Sequence, residues 1–280
     1  MKTFQLLNLG SEILKKNNIS SHLIDSEIIL SKILNISREK LLTNQSLVNL
    51  KNITKFKSKI SRRSRNEPIA YIFQTKEFMG SDFFIDQKSL IPRPETELLI
   101  EPIMKIFKNK KLFFLEIGIG SGCIMISLLN HLKNSQGVGI DVCKKTLKNC
   151  RINLKKFKLE NRCKLFLKSV DKLSNIKFDL VVSNPPYIIK RDIKRLSKDI
   201  KRFEPTVALD GGNDGLDVIK KVIYKSTKVL KLNGTLALEI GYGQYRAVKN
   251  ILIANNFKEK FVIKDFGSNI RCIFSTLIKK

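Results

Sequence analysis

Two adjacent prolines cut short an apolar run, and that boundary constrains the fold more than any other feature of the chain. The run is Phe178-Asp179-Leu180-Val181-Val182-Ser183, followed by Asn184-Pro185-Pro186-Tyr187. Its β-branched, apolar centre predicts a short strand buried on both faces, as in a parallel sheet. Pro185 and Pro186 lack amide donors and hold φ near about −65°, so the chain must leave the sheet there as a stiff, extended turn. Such a turn fixes the directions of the Asn184 side chain and of the adjacent carbonyls. Asn184 offers an acceptor oxygen and a two-hydrogen donor, a match for a planar –NH2 group. Tyr187 adds a flat face beside it. Open α/β sheets bind ligands at the carboxyl ends of their strands, where this turn falls. Read alone, Asn-Pro is also a common turn opener.

A second such boundary lies upstream. A strand over Leu112–Ile117 runs directly into Gly118-Ile119-Gly120-Ser121-Gly122, and a helix follows over Cys123–Leu132. Glycines at this junction let backbone amides approach a ligand closely. A nicotinamide fingerprint would place the third glycine one position later, where this chain has Cys123. Asp141 ends the next strand, roughly 20 residues beyond the loop, where a carboxylate can accept both ribose hydroxyls. The plain alternative for Asp141 is a strand-end turn residue.

The rest of the chain is read around these two turns. Residues 1 to about 75 predict a helical bundle. Its first helix carries Phe4, Leu6, Leu7, Leu9, Ile13 and Leu14; the second, capped by Ser20 or Ser21, turns Leu23, Ile24, Ile28, Ile29 and Ile33 inward. Ser37 caps a short third helix, and a fourth from about Leu50 to Arg65 buries Ile53, Phe56 and Ile60. Gly80-Ser81-Asp82, between Glu77-Phe78-Met79 and Phe83-Phe84-Ile85, predicts a β-hairpin linker. From Lys111 strands and helices alternate, which implies a mostly parallel, doubly wound sheet. Five residues, Asp265 to Asn269, separate the last two strands, and so short a link forces an antiparallel pair. The expected divisions are therefore 1–75, helical and for substrate recognition; 76–92, the hairpin; and 93–280, the α/β domain.

Composition excludes several classes. The five cysteines include no C-x-x-C pair, and the two histidines, His22 and His131, stand apart, so neither a zinc site nor a His-based triad is expected. No apolar run approaches the ~18 residues of a membrane span, and the first residues lack the apolar core of a signal peptide. The expectation is a soluble, cytoplasmic protein. A net charge of +28 favours polyanionic partners, yet the lysines are spread along the whole chain, as biased composition would also produce. The basic runs Lys51–Arg65 and Lys190–Arg202 are read first as solvated faces.

The glycine loop, the acid at 141, the antiparallel last strand and the Asn-Pro-Pro-Tyr turn together resemble the class I S-adenosyl-L-methionine-dependent methyltransferases. Four further stretches narrow the resemblance: Arg63 to Ile72, Ile91-Pro92-Arg93-Pro94-Glu95-Thr96-Glu97, Asn184 to Ile188, and Arg202-Phe203-Glu204-Pro205. With the helical N-terminal region, the whole chain resembles the release factor glutamine methyltransferase family (PrmC, HemK). The resemblance implies methylation of the side-chain amide nitrogen of the Gln in the Gly-Gly-Gln loop of class-1 peptide chain release factors. It implies that Gly118, Ile119, Gly120, Ser121, Gly122 and Asp141 hold S-adenosyl-L-methionine, with Asn184 near the methyl. Asn184, Pro185, Pro186 and Tyr187 then hold the substrate glutamine, and Asn184, Pro185 and Tyr187 carry the catalysis. The family usually has Asp where this chain has Glu116. It often has an acid contacting the adenine end, and the stretch Ser169-Val170-Asp171 does not by itself assign that place to Asp171. No metal, membrane or stable nucleic-acid partner is implied. Two other functions suit the same turns: an N6-adenine methyltransferase acting on DNA or RNA, and a non-catalytic cofactor-sensing or RNA-binding adaptor.

Overall fold

A computed structural model describes residues 1–43, 46–173 and 176–279. The chain divides into two compact units, Met1–Gln74 with Ser197–Phe203, and Thr75–Leu196 with Glu204–Lys280.

The first unit is helical: α1 (Thr3–Lys16), α2 (His22–Leu34), α3 (Arg38–Thr43), α4 (Leu50–Ser64) and α5 (Ile69–Phe73). Its core is built on Leu6, Leu14, Ile29, Leu30, Phe56 and Ile60. Gly10 permits the close packing of α1, since a Cβ there would meet Ser26 Oγ at 2.5 Å and Phe56 Cζ at 2.6 Å. The expected inward set of α2 needs correction. Leu23 and Ile24 are exposed, while Asp25, Ser26, Ile29 and Leu30 are buried. Asp25 pairs with Arg63 at 2.6 Å, and Ser26 Oγ donates to the Leu7 carbonyl at 2.9 Å. Those two polar contacts set the rotation of α2, and a count of apolar residues cannot register them.

The apolar stripe of α4 is buried as expected, and Asn49 caps it by accepting from the Asn52 amide at 2.9 Å. Its basic face is partly committed within the unit: Arg62 pairs with Glu67 at 2.5 Å, Arg63 with Asp25, and Lys59 lies 4.2 Å from the Phe73 ring centroid. Loss of the cap in Asn49→Ala is expected to cost about 1 kcal/mol of stability, read as a lowered denaturation midpoint.

The second unit opens with a hairpin, β1 (Thr75–Phe78) and β2 (Ser81–Phe84), paired antiparallel. The turn is shorter than the sequence suggested. Met79 (φ 49°) and Gly80 (φ 67°) make it alone, because a two-residue turn with both φ positive matches the strand twist. Ser81 and Asp82 already belong to β2. After a 3-10 segment, Pro94–Leu99, come α6 (Ile100–Ile106), β3 (Phe113–Ile117), α7 (Cys123–His131), β4 (Gln136–Asp141), α8 (Lys144–Lys156), β5 (Cys163–Leu167) and β6 (Phe178–Ser183). Next are α9 (Lys198–Phe203), which groups with the first unit, α10 (Asp217–Val229), β7 (Leu230–Glu239), α11 (Tyr245–Ala254), β8 (Phe257–Lys264) and β9 (Ile270–Leu277).

Among the described residues the main sheet has the order β5-β4-β3-β6-β7-β9-β8. The first five strands are parallel, and β9 runs antiparallel to both neighbours. The last strand thus inserts between β7 and β8. β7 begins at Leu230, earlier than the expected Thr235, with a register shift where Phe178 faces Leu230 and Leu180 faces Thr235. Strand residues alternate between two cores: Phe114, Leu180 and Val182 pack with α6, α7 and α8, and Leu115, Val181 and Leu236 pack with α10 and α11. The chain moves one way from β3 through β4 to β5, then crosses back to β6. The sheet therefore has its switch point between β3 and β6, where α/β sheets open a ligand crevice.

No helix among the described residues is long and apolar enough to cross a membrane, and none of their His, Cys, Asp and Glu side chains forms a group of three able to hold a metal ion.

Candidate active site

Strands β3 and β6 are direct neighbours, with Ile117 facing Ser183. Ser183 Oγ donates to the Ile117 carbonyl at 2.8 Å. Gly118 and Asn184, the next residues of each strand, thus leave the sheet side by side.

The glycine loop takes a backbone that only glycine adopts freely: φ is 74° at Gly118, 56° at Gly120 and 82° at Gly122. A Cβ at Gly118 would meet nothing within 4 Å, so the loop edges an open space. Gly122 is different in kind. It caps α7 in the left-handed region, and a Cβ there would strike Cys150 Sγ at 2.7 Å. Ile119 is buried, and its side chain lies over Gly139. Asp141 fastens the loop: Oδ2 accepts from the Gly120 amide at 3.1 Å and Oδ1 from the Cys143 amide at 2.9 Å. A carboxylate has about four acceptor positions, so two remain for a ligand. Burial pushes the Asp141 carboxyl above its ordinary value, partly offset by those amide bonds.

Both turns line one cavity of about 330 Å³, within the range of small-molecule sites. Its wall includes Gly118, Ile119, Gly120, Ser121, Asp141, Asn184 and Pro186. Gly122, Pro185 and Tyr187 are not among the lining residues. Pro185 is buried. The Tyr187 hydroxyl donates to Glu239 Oε1 at 3.3 Å, and its carbonyl accepts from Gln244 Nε2 at 3.0 Å. Glu116 also lines the cavity, although only 1% exposed. Burial raises its carboxyl well above the carboxylate range, reinforced by Asp141, and Oε2 has no hydrogen-bond partner among the described residues. An orphaned buried oxygen beside an open glycine edge and a half-satisfied aspartate suits a cationic ligand bearing a ribose. Ser169, Val170 and Asp171 line the same cavity.

The structure joins two stretches that the sequence kept apart. Arg93 Nη2 donates to Glu204 Oε1 at 2.5 Å, and the Ile91 amide donates to Glu204 Oε2 at 3.3 Å. This buried acid thereby anchors the Pro92–Pro94 segment on the cavity rim. Thr96, from the same segment, accepts a hydrogen bond from Asn184 Nδ2 at 3.0 Å. The stretch Ile91–Glu97 already narrows the family resemblance, but nothing in the local pattern gave Thr96 its own role or marked Glu239, because their partners lie far away in sequence.

The sheet order, the antiparallel last strand and the cavity at the switch point define a class I methyltransferase fold, the class whose methyl donor is S-adenosyl-L-methionine. A methyltransferase from Pyrococcus furiosus has the same fold, with a TM-score of 0.56 over 78% of this chain and 99% of that one, at 18% identity. Residues 5–73 match the PrmC N-terminal domain and residues 94–201 the methyltransferase small domain. A release factor glutamine methyltransferase of Clostridium botulinum is 39% identical over 96% of both chains. One of Clostridium acetobutylicum is 34% identical over 98% of both. The chain belongs to the release factor glutamine methyltransferase family.

Proposed function

We propose that this enzyme methylates the side-chain amide nitrogen of the glutamine in the Gly-Gly-Gln motif of class-1 peptide chain release factors. The observation that carries the reading is the position of Asn184. It lines the cavity edged by the glycine loop, with its amino end turned away onto Thr96. Its oxygen is thus left to accept a hydrogen from a planar NH2. The relatives, which are release factor glutamine methyltransferases, support the same substrate class for this chain.

In this reading the Gly118–Gly122 loop and Asp141 hold S-adenosyl-L-methionine, and Ser169 to Asp171 lie at its adenine end. Asn184 Oδ1 and the Pro185 carbonyl accept the two amide hydrogens, while Pro186 and Tyr187 complete the cradle. An amide nitrogen is a poor nucleophile because its lone pair is delocalised into the carbonyl. Two aligned acceptors draw electron density onto that nitrogen and fix its direction. When bound, the cofactor held by the Gly118–Gly122 loop and Asp141 would supply an electrophilic sulfonium methyl; Asn184 and Pro185 would hold the substrate nitrogen toward it, and the proton that nitrogen gives up would pass to water. Most of the acceleration then comes from positioning and preorganised dipoles. Residues 1–75 serve substrate recognition, 76–92 link, and 93–280 catalyse. The enzyme works in the cytoplasm, where release factors act.

The test is incubation of the protein with labelled cofactor, a release factor, and DNA or ribosomal RNA, followed by peptide mass spectrometry. Label on the Gly-Gly-Gln glutamine is the expected result. Label on adenine with none on the release factor would replace this reading with the nucleic-acid one.

A further inference from the structure

The Asn184 amide is held from behind by a chain of buried groups. Its Nδ2 donates to Thr96 Oγ1 at 3.0 Å, and Thr96 is 2% exposed. A hydroxyl that accepts in this way still has one hydrogen to place. The neighbouring acceptor is the Glu239 carboxylate, whose ionised form the Thr96 hydroxyl favours. Glu239 ends β7, beside β6, and is 1% exposed. Its Oε1 accepts from Tyr187, and Oε2 has no partner among the described residues. With Thr96 Oγ1 accepting from Nδ2, the amino end of Asn184 is turned inward and Oδ1 is left to the cavity that Asn184 lines.

We propose that Glu239 and Thr96 are positioning residues for methyl transfer: the buried carboxylate, acting through the threonine hydroxyl, orients and polarises the Asn184 amide so that Oδ1 becomes a stronger acceptor for the substrate amide hydrogen. The inference rests on the reading that Asn184 holds the glutamine amide. Its physical basis is cooperativity: an amide that donates through nitrogen to a chain ending in a negative charge carries more electron density on its oxygen. Positive charge accumulating on the substrate nitrogen then faces a dipole backed by a full charge. Aspartate plays a comparable part behind histidine in the serine-protease triad.

Glu239 has the surroundings to act as a titratable switch for this chain. Burial lifts its carboxyl to about 7, opposed by the bonds from Thr96 and Tyr187 and by the Arg271 guanidinium on β9, and assisted by Glu95. Arg271 is itself paired with Asp265 at 2.9 Å. Cys272 lies opposite Glu239 on β9, and burial, with Glu239 among the further causes, raises the Cys272 and Cys123 thiols. Burial and the Glu239 charge raise the Tyr187 phenol too. Those three groups are therefore neutral while Glu239 titrates. Below its midpoint Glu239 acquires a proton of its own. That proton removes the negative charge at the end of the chain and with it the polarisation of the Asn184 amide.

The test is single-turnover methyl transfer by the full-length protein on a release factor, from roughly pH 6 to 8.5, a span bracketing that midpoint. The wild-type rate is expected to rise through about pH 7 and then level. E239Q and T96V are expected to be slower by roughly tenfold on the plateau, the scale of one lost hydrogen bond, and to lose the acidic limb. T96S keeps the limb, since it keeps the hydroxyl. Cofactor affinity and melting temperature should stay near wild type in all three, which separates positioning from folding. A flat wild-type profile, or an acidic limb that persists in E239Q, overturns the inference while the methylated product still supports the underlying function. Absence of N-methylglutamine from the wild-type reaction overturns both.

Discussion

Asn184→Ala is expected to lower the single-turnover rate of methyl transfer by roughly 100- to 1,000-fold while cofactor affinity stays within about twofold of wild type. The scale, about 2.7–4 kcal/mol of barrier, is that of losing one preorganised dipole aimed at developing charge. Alanine removes the oxygen proposed to accept a substrate hydrogen and also the amino group bonded to Thr96. The bend itself should survive, because Pro185 and Pro186 hold it through their fixed φ, independently of the Asn184 side chain. Titration calorimetry with cofactor and rapid-quench transfer on the same sample separate the two effects. Transfer at an undiminished rate would remove Asn184 from the chemistry.

Asp141→Ala is expected to act on the opposite side of that division. The Asp141 carboxylate secures the Gly120 and Cys143 amides and has acceptor positions left for two ribose hydroxyls. Hydrogen bonds to a charged group contribute about 1.5–3 kcal/mol each, so losing the two ribose bonds should weaken cofactor binding by at least ~100-fold. Release of the Gly120 amide adds to the loss by loosening the loop. Asp141→Asn keeps an oxygen for one amide and should fall between. Calorimetry measures both variants. An unchanged dissociation constant in Asp141→Ala would move the ribose contact elsewhere, and Glu116 and Asp171 are the other acids on the cavity wall.

Part of the charge that the sequence presents as a single basic excess is spent inside the two units. Arg62, Arg63, Arg93 and Arg271 each meet a carboxylate, at 2.5, 2.6, 2.5 and 2.9 Å respectively. Two of these pairs bear on function through geometry. Arg93 and Glu204 pin the segment that carries Thr96, and Arg271 faces the Glu239 and Tyr187 cluster. A count of Lys and Arg treats them like the solvated lysines, because pairing depends on which carboxylate the fold brings near, 111 residues away in the case of Arg93 and Glu204.

Local signals in the sequence were enough to determine the two strand-end turns, the alternation of strands and helices, the antiparallel final pair and the family. Each rests on short-range physics: proline lacks a donor, glycine tolerates positive φ, apolar spacing reports the buried face, and a five-residue link cannot cross over. Only the tertiary structure decided that β9 inserts beside β7, that α2 turns Asp25 rather than Leu23 inward, and that the Tyr187 hydroxyl is committed to Glu239. It alone brought Thr96 and Glu239 up behind Asn184. These choices depend on which polar groups find partners once the chain is packed, and a buried donor or acceptor is satisfied by neighbours in space, whatever their separation along the chain.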